Sequence, residues 1–149
     1  MLKIGDKMPS FEVMDQDGNV VRSQDFIGRK TIIYFYPKDN TPGCTAEACS
    51  LRDRYADVKA AGYNVVGVSK DSVKSHAGFQ AKHELPFTLL SDTGTEMLRA
   101  FGAWGEKKLY GKVTEGTLRR TFIFDENGVL VRIIDKVDTK NAASQILEV

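Results

Sequence analysis

Two cysteines are the residues of this chain whose type and spacing could do chemistry. The chain has no others, and Cys44 and Cys49 lie five positions apart. A small domain stapled by structural disulfides would carry more cysteines, and a close pair in a reducing compartment is more often catalytic, redox-active or metal-binding. The spacing is longer than the Cys-x-x-Cys of thioredoxin-type redox sites. Zinc is also poorly matched, because its cysteines usually lie two to four positions apart and it needs four ligands. The only histidines, His76 and His83, lie seven apart, and we interpret them as surface or half-buried residues of a polar helix.

The residues before Cys44 predict that it lies at the start of a helix. Thr41 is a good N-cap, and Pro42 is favoured at the first helical position. Cys44 is then the third helical residue, where unpaired backbone N–H groups and the positive end of the helix dipole favour a thiolate. Gly43 has no side chain, so a small ligand could approach the backbone beside the sulfur. The alternative is a small buried cysteine that only packs, but a polar helix start favours a nucleophile.

Cys49 falls further along the same predicted helix. In an intact helix, five residues separate the two Cα atoms by roughly 8.7 Å and place the side chains on different faces. A disulfide needs Cα atoms within about 7 Å of each other. If the pair oxidises, the first turns of this helix must therefore unwind, which would couple a conformational change to the redox cycle.

Two arginines precede a predicted core strand late in the chain. An arginine at that strand entrance can reach the sheet edge where Cys44 is expected, because strand ends and helix starts meet there. Its guanidinium would stabilise a thiolate. From the residues alone, Arg119 could have this role or could be a solvated charge, and for Arg120 we favour the solvated charge.

The elements that must position these residues alternate between strand and helix in the middle of the chain. Asp17-Gly18 and Asn127-Gly128 mark the turns of two hairpins, and Gly62 is expected to end the cysteine-bearing helix. The predicted elements are a hairpin (11–14 and 20–22), a buried strand (31–36), a helix (42–61), a buried strand (64–69), a helix (72–82), a strand (87–90), a helix (95–101), a hairpin (121–124 and 129–134) and a helix (141–147). This order predicts an α/β protein in which helices flank both faces of a mixed central sheet that carries an N-terminal β-hairpin. A thioredoxin-like fold, as a single domain over 1–149, satisfies it.

Composition gives no support for several classes of partner. The chain has 149 residues, 42% hydrophobic and 28% charged, with a formal net charge of +1. Such an even balance gives no reason to expect nucleic acid or an anionic membrane as a partner. No apolar run approaches the roughly 20 residues that span a bilayer. Because the first residues turn polar at once, we expect no signal peptide and a cytoplasmic location.

Taken together, these motifs resemble one known family. The chain is similar to the peroxiredoxins of the bacterioferritin comigratory protein class, also called peroxiredoxin Q, through most of its length. The matching segments are GDKMPSF (5–11), YPKDNTPGCT (36–45), WGEKK (104–108) and RRTF (119–122). The Pro-x-x-x-Thr-x-x-Cys pattern, the five-residue cysteine spacing and the Arg-x-Thr-Phe stretch are specific in combination. Met8 departs from the class, in which Ala is usual, without touching the site.

The resemblance implies a function and a role for each residue. Cys44 would be the peroxidatic nucleophile, and Cys49 the resolving thiol that forms an intramolecular disulfide with it. Thr41 would donate a hydrogen bond to sulfur or peroxide, Pro37 would shield the pocket from water, and Arg119 would hold the thiolate and the polarised peroxide oxygen. The enzyme would be an antioxidant thiol peroxidase that reduces hydrogen peroxide and organic hydroperoxides. It would need no metal, flavin or haem, use thioredoxin or a similar dithiol as reductant, and work as a monomer.

Two other functions are compatible with the same fold. A peroxide sensor would use the same cysteine oxidation but pass it to a partner protein, and turnover with a thioredoxin system would distinguish it. A non-enzymatic binding role would leave function intact after Cys44→Ser. We rank both below the peroxidase, since all the site residues are present in the expected pattern.

Overall fold

The structure, a computed structural model, describes residues 2–148. Within that range it contains nine strands and five helices. The strands are β1 (Glu12–Asp15), β2 (Val20–Arg22), β3 (Lys30–Phe35), β4 (Tyr63–Ser69), β5 (Thr88–Ser91), β6 (Trp104–Leu109), β7 (Lys112–Thr117), β8 (Arg120–Phe124) and β9 (Leu130–Ile134). The helices are α1 (Pro42–Asp53), α2 (Tyr55–Ala60), α3 (Val73–His83), α4 (Glu96–Ala100) and α5 (Ala142–Leu147), and a short 3₁₀ turn covers Ser23–Phe26. None of the helices described has the length and apolar character needed to cross a bilayer.

Seven strands form one mixed sheet in the order β2-β1-β5-β4-β3-β8-β9. β4 runs parallel to both β3 and β5, and the other neighbouring pairs are antiparallel. The parallel pairs are joined through helices, as crossover connections require. The predicted mixed sheet with an N-terminal hairpin on its edge is therefore confirmed.

β3 lies inside the sheet, between β4 and β8, and is buried on both faces, as its continuous apolar run predicts. Ile32 and Tyr34 point into one core cluster, where side chains of α1, α2, α3 and α5 cover the sheet. Ile33 and Phe35 point into the other cluster, which α4 and the N-terminal hairpin cover. The sheet thus has an apolar layer on each side, and α1 starts just beyond the carboxyl end of β3.

The helix predicted over residues 42–61 is wrong in one respect, because it is two helices. Arg54 leaves the helical conformation, with φ −113° and ψ 22°, between α1 and α2. Its guanidinium contacts Asp57 at 3.2 Å and the hydroxyl of Ser144 in α5 at 2.9 Å. No glycine or proline marks this break, which coincides with a tertiary contact 90 residues away. The end of the segment is as predicted, since Gly62 follows α2 with φ +92°.

A second difference is the hairpin formed by β6 and β7, which the sequence analysis did not predict. The two strands make their own two-stranded sheet. Tyr110 and Gly111 form its turn with positive φ values of 52° and 78°, the pattern of a type I′ turn. Most of β7 is exposed, so the alternation between buried and exposed residues that would reveal a strand is weak. The hairpin leads directly into the segment that carries Arg119.

Candidate active site

Sheet register brings the two halves of the site together. β3 pairs antiparallel with β8 so that Phe35 lies opposite Arg120. Arg119, the residue before β8, therefore lies beside the loop that leaves β3 and enters α1. Thr41 is the N-cap of α1, with extended φ and ψ, and Pro42 is its first residue, as predicted. Cys44 and Arg119, 75 residues apart in the chain, thus meet at one edge of the sheet.

Cys44 is buried but has a charged partner. Its side chain belongs to the core cluster and the residue is only 1% exposed. Arg119 Nη2 donates a hydrogen bond to Cys44 Sγ at 3.3 Å. A Cβ atom added to Gly43 would lie 3.4 Å from the same Nη2 atom, so a small residue here leaves room for the guanidinium. The arrangement suits a sulfur that carries negative charge, since a hydrogen bond and an opposite charge both favour the ionised form of a group.

Glu47 completes this cluster, and the sequence analysis missed it. Its carboxylate accepts a hydrogen bond from Arg119 Nη1 at 2.5 Å and is buried. Burial raises the pKa of Glu47 to about 7, although the charge and the hydrogen bond of Arg119 act to lower it. A signal was available, because Glu47 lies three positions after Cys44 and so shares its side of the helix.

The guanidinium stays charged between these two partners. Burial alone would lower the pKa of Arg119, but the Glu47 carboxylate and the Cys44 sulfur outweigh it, so this pKa lies above its ordinary value. The two terminal nitrogens of the planar guanidinium have different partners: Nη2 donates to the Cys44 sulfur and Nη1 to the Glu47 carboxylate. Arg119 therefore holds a fixed orientation, which a flexible lysine could not reproduce.

Thr41 and Pro37 lie in the loop between β3 and α1. The hydroxyl of Thr41 donates to the carbonyl of Lys38 at 2.8 Å, and it makes no capping bond to α1. The structure therefore places Thr41 one turn before Cys44 without joining its hydroxyl to the sulfur. Pro37 is half-buried and directly follows two buried residues, Phe35 at the end of β3 and Tyr36.

A buried polar network anchors the same loop. Asp39 accepts hydrogen bonds from the hydroxyls of Tyr36 at 2.6 Å and Ser75 at 2.8 Å, and its Oδ2 lies 2.7 Å from His76 Nδ1. The other ring nitrogen of His76 faces the carbonyl of Leu90 at 2.9 Å. Burial would raise the pKa of Asp39, but the bonds from His76 and Tyr36 lower it. Both ring nitrogens of His76 therefore lie within hydrogen-bond distance of an oxygen atom, one on Asp39 and one on Leu90.

The interpretation of His76 as a surface or half-buried residue is therefore wrong, because its side chain is fully buried. Its neighbour Asp71 brings a third potential metal ligand within 4.8 Å of the ligand atoms of Asp39 and His76. These atoms are already engaged, however: Asp71 accepts from the Asp39 amide and the Ser69 hydroxyl. These contacts join the three residues in one hydrogen-bond network that anchors the loop.

Cys49 lies in the middle of α1 and faces a different element. It is half-buried, and its Sγ is 4.0 Å from Nδ1 of His83, the last residue of α3. Both cysteines are free, and α1 is continuous from Pro42 to Asp53. The half-buried position of His83 is as predicted. The two sulfurs thus occupy separate environments on one intact helix.

Comparison with known proteins gives a consistent result. The sequence model of the AhpC/TSA family matches residues 4–133. The chain is 42% identical over 146 residues to the peroxiredoxin Bcp of Escherichia coli, covering 98% of this chain and 94% of that one. It is 50% identical over 127 residues to a putative peroxiredoxin of Mycobacterium tuberculosis, covering 85% and 81% of the two chains.

Solved structures resemble the whole fold. A PrxQ mutant of Xylella fastidiosa superimposes with a TM-score of 0.90 at 30% identity, covering 99% of this chain and 94% of that one. The bacterioferritin comigratory protein of Xanthomonas campestris, described as reducing alkyl peroxides, gives a TM-score of 0.86 at 36% identity, with 92% and 87% covered. The expected thioredoxin-like arrangement is thereby confirmed.

Proposed function

The chain belongs to the AhpC/TSA family and to its Bcp/peroxiredoxin Q class, and from that premise we propose that Cys44 is the nucleophile of a hydroperoxide reductase. Membership of the family implies thiol peroxidase activity. The single observation that carries the assignment to Cys44 is the 3.3 Å hydrogen bond from Arg119 to its sulfur. The Cys49 sulfur instead faces the imidazole of His83 at 4.0 Å, and it lies away from the start of the helix.

In the first step, the Cys44 thiolate attacks one oxygen of the hydroperoxide. A sulfur–oxygen bond forms, the oxygen–oxygen bond breaks, and the leaving oxygen takes a proton to become water or an alcohol. Cys44 becomes a sulfenic acid. Arg119 can stabilise the charge on the thiolate and then on the polarised oxygen, since preorganised donors act most strongly where water is excluded. Glu47 holds the Arg119 guanidinium in place by accepting a hydrogen bond from its other terminal nitrogen, Nη1.

Thr41 and Pro37 are proposed to complete the pocket. The Thr41 hydroxyl now donates to Lys38, and on peroxide binding it would turn to donate to the sulfur or the oxygen instead. Pro37 offers no N–H and would keep water from the reacting atoms. The Asp39–His76 network supports both roles, because it fixes the loop that carries these two residues.

In the second step, Cys49 resolves the sulfenic acid. Its thiol condenses with Cys44 to a disulfide and releases one water. Because α1 is continuous in the reduced protein and an intact helix holds the two Cα atoms too far apart, part of it must unwind at this stage. A dithiol, for which we propose thioredoxin, then reduces the bond. Such a cycle suits a monomer in the cytoplasm, since the disulfide is intramolecular and its reduction needs a reducing compartment.

Mass analysis of one tryptic peptide tests this proposal. Residues 39–52 contain both cysteines and no internal lysine or arginine. We expect one equivalent of hydrogen peroxide to remove two hydrogens from this peptide in the reduced protein. Unconsumed peroxide with an unchanged peptide would exclude the peroxidase. A gain of oxygen without a bond would retain Cys44 and exclude Cys49, and repeated turnover with thioredoxin would separate an enzyme from a sensor.

A further inference from the structure

The surroundings of Cys49 contain a group that the mechanism so far does not use. The sulfur of Cys49 faces the imidazole of His83, with 4.0 Å between Sγ and Nδ1. Both residues are half-buried. Arg52, one turn further along α1, donates its Nη1 to the backbone carbonyl of His83 at 2.9 Å. The middle of α1 is therefore tied to the last residue of α3 through a backbone atom as well as through the sulfur contact.

The imidazole itself is held by packing. Its ring meets the ring of Phe79, one turn earlier in α3, edge to face, with centroids 5.2 Å apart at 72°. Glu84 follows in the left-handed conformation, with φ 51°, and ends the helix at this point. The side chain of His83 is thus fixed on the rim of the core with one ring nitrogen facing the thiol.

The two ends of α1 differ in how firmly they are held. The first turn begins with Pro42 and Gly43, and the Thr41 side chain makes no capping bond. Its backbone N–H groups lack intrahelical partners. The segment around Cys49 has helical hydrogen bonds on both sides and the additional ties to α3. Unwinding should therefore begin at the Cys44 end and bring the sulfenic acid to Cys49, which stays beside His83.

We propose that His83 is the general base of the resolving step. This inference rests on the proposed function of Cys44 and Cys49. His83 Nδ1 takes the proton of the Cys49 thiol, the sulfur of Cys49 attacks the sulfur of Cys44, and the sulfur–oxygen bond of the sulfenic acid breaks. The proton on His83 then joins the leaving hydroxide. One sulfur–sulfur bond and one water are formed, and the imidazole returns to its starting state.

Histidine suits this role because only the thiolate is a nucleophile toward sulfur. A base in contact with the thiol creates that thiolate as the reaction proceeds, and imidazole is the side chain best matched to proton transfer near neutral pH. His83 contacts a reacting atom in the second step but none in the first. The proposal therefore separates the two steps: His83 should govern closure of the disulfide and leave the oxidation of Cys44 unchanged.

The test is to follow both steps in one rapid-quench experiment. Reduced protein is mixed with one equivalent of hydrogen peroxide and quenched with acid and an alkylating agent, and the peptide over residues 39–52 is weighed at each time. The variants are His83→Gln and His83→Ala, with Lys82→Gln as the matched control on the same turn of α3. Imidazole is added to His83→Ala as a chemical rescue. Loss of peroxide gives the first step, and loss of two hydrogens gives the second.

We expect closure to slow about 10²-fold in both His83 variants, with peroxide loss unchanged and partial recovery in imidazole. Lys82→Gln should close at the wild-type rate. Excess peroxide should then convert more Cys44 to sulfinic acid in the His83 variants than in the wild type. Wild-type closure in His83→Gln would overturn the inference, because glutamine can fill the space but cannot take the proton. If the wild-type protein consumes peroxide but never closes the bond, the resolving role of Cys49 fails first, and the inference falls with it.

Discussion

Cys44 and Cys49 lie on one helix, five residues apart, but the fold surrounds their sulfurs with different groups. Cys44 is the more buried of the two, yet it is the one beside a guanidinium, with Arg119 Nη2 at 3.3 Å. Cys49 is partly open to solvent and faces an imidazole at 4.0 Å. If exposure decided reactivity, Cys49 would be the nucleophile. The groups beside the two sulfurs favour Cys44 as the nucleophile instead. The fixed positive charge of Arg119 stabilises a thiolate continuously, whereas a base such as His83 produces one only when it takes the proton.

The partners also come from different distances in the chain. Arg119 reaches Cys44 through the register of β3 with β8, two neighbouring strands inside the sheet. His83 reaches Cys49 from α3, which packs on the face of the sheet. The contact between Arg119 and Cys44 thus depends on the pairing of two strands inside the sheet. The contact between Cys49 and His83 joins two helices instead, α1 and α3, so the unwinding that we propose at the start of α1 would not need to break it.

Removing each sulfur in turn gives the largest expected contrast. Cys44→Ser should lower peroxide consumption to the uncatalysed background, because a serine hydroxyl is a far weaker nucleophile than a thiolate. Cys49→Ser should still consume the first equivalent at the wild-type rate and then accumulate sulfenic and sulfinic acid. Peroxide loss and peptide mass measure both. Equal damage from the two variants would contradict the division of roles between the cysteines.

Neutralising the arginine beside Cys44 should have the next largest effect. We expect Arg119→Met to slow the first step by about 10²–10³-fold, as removal of one preorganised donor does. Arg119→Lys should recover only part of the rate, since lysine lacks the fork that reaches both Cys44 and Glu47. The measurement is the second-order rate of peroxide loss under single-turnover conditions.

The neighbouring arginine supplies a matched control. Arg120 points to the opposite face, where it contacts the Asp135 carboxylate at 3.1 Å and the carbonyl of Gly102. Arg120→Met should lower stability while leaving the oxidation of Cys44 close to the wild-type rate. If the two variants slowed the first step equally, the effect would come from the strand and not from the hydrogen bond to sulfur.

These sites differ in how far the sequence predicts them. The helix start at Thr41-Pro42, the buried strands and the Asn-Gly hairpin are local signals, and each appears in the structure near the predicted residues. Arg119 could be predicted only as one of two possibilities, because its approach to Cys44 depends on strand register. The resemblance to the family resolved that choice, and the structure places the guanidinium on the sulfur.

What the sequence could not supply depends on contacts between distant residues. The burial of His76 follows from its pairing with Asp39, 37 positions away, and a histidine in a polar helix gives no sign of it. The break at Arg54 coincides with a contact to Ser144. The hairpin of β6 and β7 is largely exposed, so its strands lack the apolar alternation on which strand prediction rests.

Substitutions of Thr41 should have a smaller effect, and they distinguish a catalytic role of its hydroxyl from a structural role of the residue in the loop. Thr41→Val removes the donor and keeps the shape, and we expect the first step to slow about tenfold, the value of one hydrogen bond to a charged group. Thr41→Ser keeps the donor and should react near the wild-type rate. Closure of the disulfide should be equal in all three proteins. An unchanged first step in Thr41→Val would limit the hydroxyl to its bond with the Lys38 carbonyl.

The last expected effect is on stability and not on the rate of either step: Glu47 gives the Cys44 end of the helix a pH dependence of stability. Burial raises the pKa of Glu47 from 4.5 to about 7. The folded protein therefore keeps this proton over a range in which the unfolded chain has released it. The contribution of Glu47 to stability is complete below pH 4.5 and is lost as pH rises to about 7. The full shift corresponds to a loss of roughly 3 kcal/mol.

Urea unfolding of the reduced protein at several pH values between 4.5 and 8 measures this contribution. Glu47→Gln should be compared with the wild type at each pH, so that the titration of all other groups cancels. We expect the stability of the wild type relative to Glu47→Gln to fall as pH rises. The matched control is Glu115→Gln, at an exposed glutamate of β7, and it should show no such trend. A constant difference between wild type and Glu47→Gln would mean that Arg119 keeps Glu47 ionised throughout. The Cys44 sulfur would then share its guanidinium with a full negative charge at every pH of this range.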